Sequence, residues 1–108
     1  MKTARISDFV GGWFVGDFSP SILTTQEFEV CVKHYCSGDR EPAHFQHIAV
    51  EITAIISGSA RMGQHILEGG DVIRLEPGEV ADFEALTDVV LVAVKSPSLP
   101  SDKEVCVA

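Results

Sequence analysis

The residues best equipped for chemistry in this 108-residue chain lie close together, between Pro42 and Ile52. Here His44, Gln46, His47 and Glu51 put two of the four imidazoles, a carboxamide and a carboxylate within eight positions. An imidazole titrates near neutrality, so it can take a proton from a substrate or donate a lone pair to a metal. A nearby carboxylate can orient that imidazole or join it as a ligand. His44 and Glu51 are therefore the candidate catalytic pair, with His44 or His47 as general base and Glu51 as partner or metal ligand. The apolar run that follows, including Ile48, Val50 and Ile52, marks the cluster as the polar start of a core strand and so as an inward-facing site. His44 and His47 point to opposite faces of an extended strand, and joint use requires a bulge between them. His34 and His65 have no acidic partner at ligand spacing and read as satisfied core or surface histidines.

The elements that hold this cluster are strands. Glu27 to Tyr35 alternates, with Phe28, Val30 and Val32 on one face and Glu27, Glu29, Cys31 and Lys33 on the other, the period of a half-buried strand. Residues 37–42 are turn and loop chemistry. The cluster continues into the β-branched run Ile52–Ile56, and Ser57-Gly58-Ser59 turns it into a return strand over 60–67. Short strands are expected at 72–75 and 82–86. Val89 to Lys95 is apolar on both faces, which suits a sheet covered on both sides or a closed barrel. No apolar period of 3.6 residues persists for three turns. The reading is all-β, one domain over 1–108: an N-terminal arm (1–26), a barrel (27–95) and a Pro/Ser-rich surface tail (96–108). Gly11-Gly12-Trp13-Phe14 and Phe18 give the arm a short strand whose aromatics must be covered by the domain or by a partner subunit.

Sixteen acidic residues against eight basic ones give a formal charge of −8. That balance repels phosphate backbones and anionic headgroups, and no Lys/Arg cluster overrides it locally, so neither nucleic acid nor a membrane surface is an expected partner. No apolar run is long enough to span a bilayer, and the charged residues 1–8 do not form a signal-peptide core. Three cysteines without Cys-x-x-Cys spacing argue against a disulfide framework or zinc knuckle. Cys31 and Cys36 could bridge in an oxidising compartment; reduced thiols and a cytoplasmic location are the expectation. Nucleophile-elbow, phosphate-loop and dinucleotide motifs are absent from the sequence.

Two spacings carry a family resemblance. His44-x-Gln46, four residues, Glu51, six residues, Gly58 matches the first cupin motif with one substitution. Gly70, five residues, Glu76-Pro77-Gly78, two residues, Ala81 matches the second, with Glu76 for its proline and Ala81 for its histidine. The chain thus resembles a small single-domain cupin, which implies a jelly-roll barrel (a double-stranded β-helix). In metal-dependent cupins the matching positions hold one ion, here His44, Gln46, Glu51 and Ala81. A one-residue register change would bring His47 into the second position, and Asp82, next to Ala81, could add a carboxylate. The resemblance implies a small polar metabolite, a sugar derivative or carboxylate, bound by His44, Gln46, His47, Glu51 and Asp82. A divalent ion (Mn, Fe, Ni or Zn) would be held by His44, Gln46, His47 and Glu51, weakly, because an amide is a poor donor to such ions. The residues alone require no cofactor. The enzymatic alternative is isomerisation or oxygenation of such a metabolite. A further alternative is a non-catalytic module whose arm or tail binds a protein. The resemblance also implies a homodimer formed through the apolar N-terminal arm.

Overall fold

The computed structural model of the chain describes residues 1–106. After two 3-10 turns (Ile6–Asp8 and Val10–Gly12), ten strands follow: β1 (Trp13–Val15), β2 (Glu29–Tyr35), β3 (Arg40–Gln46), β4 (Val50–Ser57), β5 (Ser59–Met62), β6 (His65–Glu68), β7 (Val72–Leu75), β8 (Ala81–Ala85), β9 (Val89–Ser96) and β10 (Lys103–Val105). They form two facing five-stranded sheets, in the orders β1-β2-β9-β4-β7 and β10-β3-β8-β5-β6, with every pair of neighbouring strands antiparallel. This is a jelly-roll barrel, and the strand-rich reading of the sequence is what it contains.

The turns are set by residues that cannot be exchanged freely. Gly58 closes the β4–β5 hairpin at φ +89°, and a Cβ there would stand 2.0 Å from the Asp88 carbonyl oxygen. Between β3 and β4 the chain crosses from one sheet to the other, and the buried Asp102 carboxylate accepts the Ile48 and Ala49 amides at 2.8–3.0 Å. One end of the barrel is packed solid by Ile55, Ala60, Leu67, Ala85 and Val89. The other end holds a cavity.

Several elements differ from the sequence reading. The stretch around His44 is not one strand; it divides at residues 47–49 into β3 and β4, which lie in opposite sheets. The return strand over 60–67 is a hairpin, β5 and β6, turned at Gly63. The tail is no surface appendage over its described residues. Ser98 and Asp102 are buried, and β10 pairs with β3, because β3 otherwise ends that sheet with unpaired amides. Val107 and Ala108, the end of the expected tail, lie outside the described residues.

Candidate functional site

Period-two alternation decides which side chains reach the cavity. In β2 the inward set is Glu29, Cys31, Lys33 and Tyr35, so the polar face of that strand looks in and its valines look out. Across the first sheet, register aligns Glu29, Lys95 and Glu51 in one inward row and Cys31, Ala93 and Thr53 in the next. From the second sheet come Glu41, His44, Met62, Phe83 and Lys103. Glu41 and His44 are three apart and would face opposite ways on a regular strand. A one-residue bulge, three steps on β3 against two on β8, brings both inward.

The cavity between the sheets holds about 500 Å³, within the range of small-molecule sites. Trp13, Phe18 and Pro20 of the N-terminal arm form one wall. Two of the arm's aromatics, Trp13 and Phe18, thus find cover within the chain. Trp13 also covers two cations, with the Lys95 and Lys33 ammonium groups 4.7 and 5.8 Å from its ring centre.

His44 Nδ1 lies 3.1 Å from the Pro42 carbonyl oxygen. A carbonyl only accepts, so Nδ1 carries a proton, and in the neutral form of the ring Nε2 is left as a lone pair. That Nε2 is 4.0 Å from Glu51 Oε2, beyond direct hydrogen bonding. Two acceptors thus stand side by side, spaced to receive two donors from one ligand. Deeper in, Lys95 Nζ lies 3.6 Å from Glu29 Oε1, and both side chains are nearly buried. Glu29 Oε2 accepts the Ser98 hydroxyl at 2.8 Å, and Ser98 Oγ in turn accepts the Asp17 amide at 2.9 Å. Tyr35 donates to Glu41 at 3.4 Å; burial first, then the Glu41 charge, raises its pKa well above the usual phenol value. Burial also pushes the Cys31 thiol up to about 11, so it lines the wall as an unreactive group. Lys33 and Lys103, in contrast, form no ion pair among the described residues.

Of the expected site residues, His44 and Glu51 meet in the cavity and the other three do not line it. His47 points outward and pairs with Glu104 at 3.2 Å, since the bulge lies before His44 rather than between the two histidines. Asp82 faces outward with a two-pronged contact to Arg61 at 2.9 and 3.0 Å, which holds its carboxyl below the usual range. Gln46 is buried, and its amide nitrogen has no hydrogen-bond partner among the described residues. Ala81 stands opposite His44 on β8, where the second motif would supply an imidazole, and it offers a methyl group. Among the described residues no three His, Cys, Asp or Glu side chains converge as a ligand set. The donors present therefore do not fit the tight metal centre that the cupin pattern implies.

The alternation of Glu27–Tyr35 was visible in the sequence, but the general rule that valines face the core conceals Glu29, Lys33 and Tyr35. Lys95, ending an otherwise apolar strand, was the available signal.

No protein-family model matches the chain, and no curated protein matches it in sequence. Solved structures do. A conserved Klebsiella pneumoniae protein with a double-stranded β-helix domain superposes with a TM-score of 0.73 at 20% identity, over 97% of this chain and 91% of that one. An RmlC-like cupin from Shewanella frigidimarina gives 0.62 at 16% identity, over 69% and 70% of the two chains. A sugar phosphate isomerase of the cupin superfamily from Silicibacter pomeroyi gives 0.60 at 18% identity, over 65% and 50%. The two motif spacings, the paired sheets and these superpositions agree: this chain has the cupin-type double-stranded β-helix fold.

Proposed function

We propose that this chain binds a small hydroxylated carboxylate, such as a sugar acid, in the cavity between its sheets. The supporting observation is the distribution of cations. Lys33, Lys95 and Lys103 line this one cavity in a chain with only eight basic residues and a charge of −8. Lys95 is already neutralised by Glu29. Among the described residues Lys33 and Lys103 carry no such partner and are the anchors for an anionic group, Lys33 half-buried beside Trp13 and Lys103 exposed. His44 Nε2 and Glu51 Oε2, 4.0 Å apart and both acceptors, suit two neighbouring hydroxyls, one donating to each. Trp13, Phe18 and Phe83 cover the carbon skeleton.

A catalytic version of the same reading rests on the His44 tautomer. The free Nε2 lone pair is the form a general base needs, with Glu51 placed to stabilise the imidazolium it becomes. The reaction class that this pair supports is isomerisation of a sugar acid in its open-chain carbonyl form: His44 Nε2 takes the proton from the carbon beside the carbonyl, the electron pair moves to the carbonyl oxygen as an enediolate, and the same proton returns to the neighbouring carbon.

Glucuronate and glucose share a ring of hydroxyls and differ in one carboxylate, and so test the anchor. In a thermal-shift assay glucuronate should raise Tm and glucose should not. Lys33→Met with Lys103→Met should remove the shift while Tm of the free protein changes little. Equal shifts with both sugars, or a glucuronate shift that survives the double substitution, would overturn the proposal.

A further inference from the structure

A second concavity adjoins the barrel cavity, under the N-terminal segment. β1 pairs with β2 only at Val30 and Cys31, which leaves the same edge of β2 from Val32 to Tyr35 without a strand. The two 3-10 turns lie along this edge instead. Gly12 makes the approach close, since a Cβ there would stand 2.0 Å from the Val32 carbonyl oxygen. The result is an open groove of about 700 Å³ between the N-terminal segment and β2. Because it runs along a sheet edge, it borders the inward-facing Lys33 and Tyr35 as well as the outward-facing His34, and Glu41 reaches it from the second sheet.

Lys33, Tyr35 and Glu41 also line the cavity, so groove and cavity share a wall of polar side chains. The Tyr35 hydroxyl donates to Glu41 at 3.4 Å, a long contact for an O–H donor. Lys33 Nζ lies 5.8 Å from the Trp13 ring on the cavity side, and a Cβ on Gly11, on the groove side, would stand 3.2 Å from it. Cations gather around this wall. Of the eight basic residues, Arg40, Arg61, Arg74 and Lys95 are ion-paired. Lys2, Arg5, Lys33 and Lys103 form no ion pair among the described residues, and all but Lys2 line the cavity or the groove.

We propose that the groove is a second carboxylate subsite anchored by Arg5, and that the ligand is an open-chain hydroxylated dicarboxylate spanning groove and cavity. This rests on the reading of the cavity as a carboxylate site. One carboxylate lies in the cavity with Lys33 and Lys103. The other meets the Arg5 guanidinium, whose paired N–H groups match the two oxygens of a carboxylate. Ser7 and His34 add donors in the same groove. Lys33, at the shared wall, serves both charges. Glu41 is the one acid lining the groove; Arg5 and Lys33 outweigh it, which makes this a positive concavity on a chain of −8. An open chain suits the passage better than a ring, because it must run between Lys33 and the Tyr35–Glu41 contact, and its hydroxyls can donate to Glu41 on the way.

Gluconate and glucarate carry the same chain of hydroxylated carbons and differ in one terminal group, a CH2OH in the first and a second carboxylate in the other. Isothermal titration at about 50 mM salt, where screening is weak, compares them. Glucarate should bind at least about 10-fold more tightly, the worth of one charge-assisted hydrogen bond. Arg5→Met, a change at an exposed position outside the core, should bring the two acids to equal affinity. Gluconate binding with no gain for glucarate, or a gain that survives Arg5→Met, overturns the second subsite and leaves the cavity reading in place. Failure of both acids to bind overturns the cavity reading and this proposal with it.

Discussion

The buried Glu29–Lys95 pair at the base of the cavity should respond unequally to the loss of one partner and the loss of both. Nζ and Oε1 are 3.6 Å apart, with only 11% and 6% of the two side chains exposed. At an effective dielectric constant of about 20, their attraction is about 4–5 kcal/mol. Glu29→Ala strands the Lys95 ammonium between Trp13 and the apolar wall and leaves the Ser98 hydroxyl without its acceptor. The expected loss is about 3–5 kcal/mol, since a buried charge without its partner is not rehydrated. Lys95→Met should cost less, because Ser98 still donates to Glu29. Combining Lys95→Met with Glu29→Leu removes both charges, and stability should return to within about 1–2 kcal/mol of wild type. Urea unfolding of the four proteins measures this cycle. With a slope near ~1.5 kcal/mol/M, the Glu29→Ala midpoint falls by roughly 2–3 M. The coupling should persist in 0.5 M salt, because buried pairs are weakly screened. Additive single effects, each below about 1 kcal/mol, would refute the reasoning and place Lys95 in solvent.

Other consequences follow from single groups. Gln46→Met keeps the side-chain length and removes the unpartnered amide nitrogen; it should leave urea stability unchanged or raise it by about 1 kcal/mol, and a clear loss would mean the amide is satisfied. Gly58→Ala would need a positive φ and place its Cβ 2.0 Å from a backbone oxygen, so the hairpin must shift and stability should fall by at least ~2 kcal/mol in the same assay. Native protein at pH 8 should react with a thiol reagent at two cysteines, the exposed Cys36 and Cys106, and at the third only after unfolding. Burial shields Cys31 and pushes its thiol up to about 11; fast labelling of all three in the native state would contradict the wall assignment.

The fold was largely legible because the two cupin spacings sit on glycines and strands that behave as local rules require. Gly58 turns its hairpin at positive φ, and Val89–Ser96 is a central strand covered by neighbours on both edges. The site was legible only in part. His44 and Glu51 were evident from residue type and spacing. The bulge that turns Glu41 inward depends on pairing with β8, a partner about 40 positions away. The inward sense of β2 depends on which side of the sheet closes over the cavity, and alternation is the same for either choice. Lys103 comes to the cavity from a segment that reads as tail because its pairing with β3 is long-range. His47 and Asp82 gave a plausible pattern in one dimension, but their partners Glu104 and Arg61 hold them on the outside.

The chain contains one tryptophan, and Trp13 forms a wall of the cavity, so its fluorescence reports directly on what enters. Titration of the wild type with glucuronate should change Trp13 emission in a saturable way, glucose should not, and the Lys33→Met, Lys103→Met double variant should lose the response. An emission unmoved by glucuronate, or moved equally by glucose, would contradict a cavity built to hold a hydroxylated carboxylate.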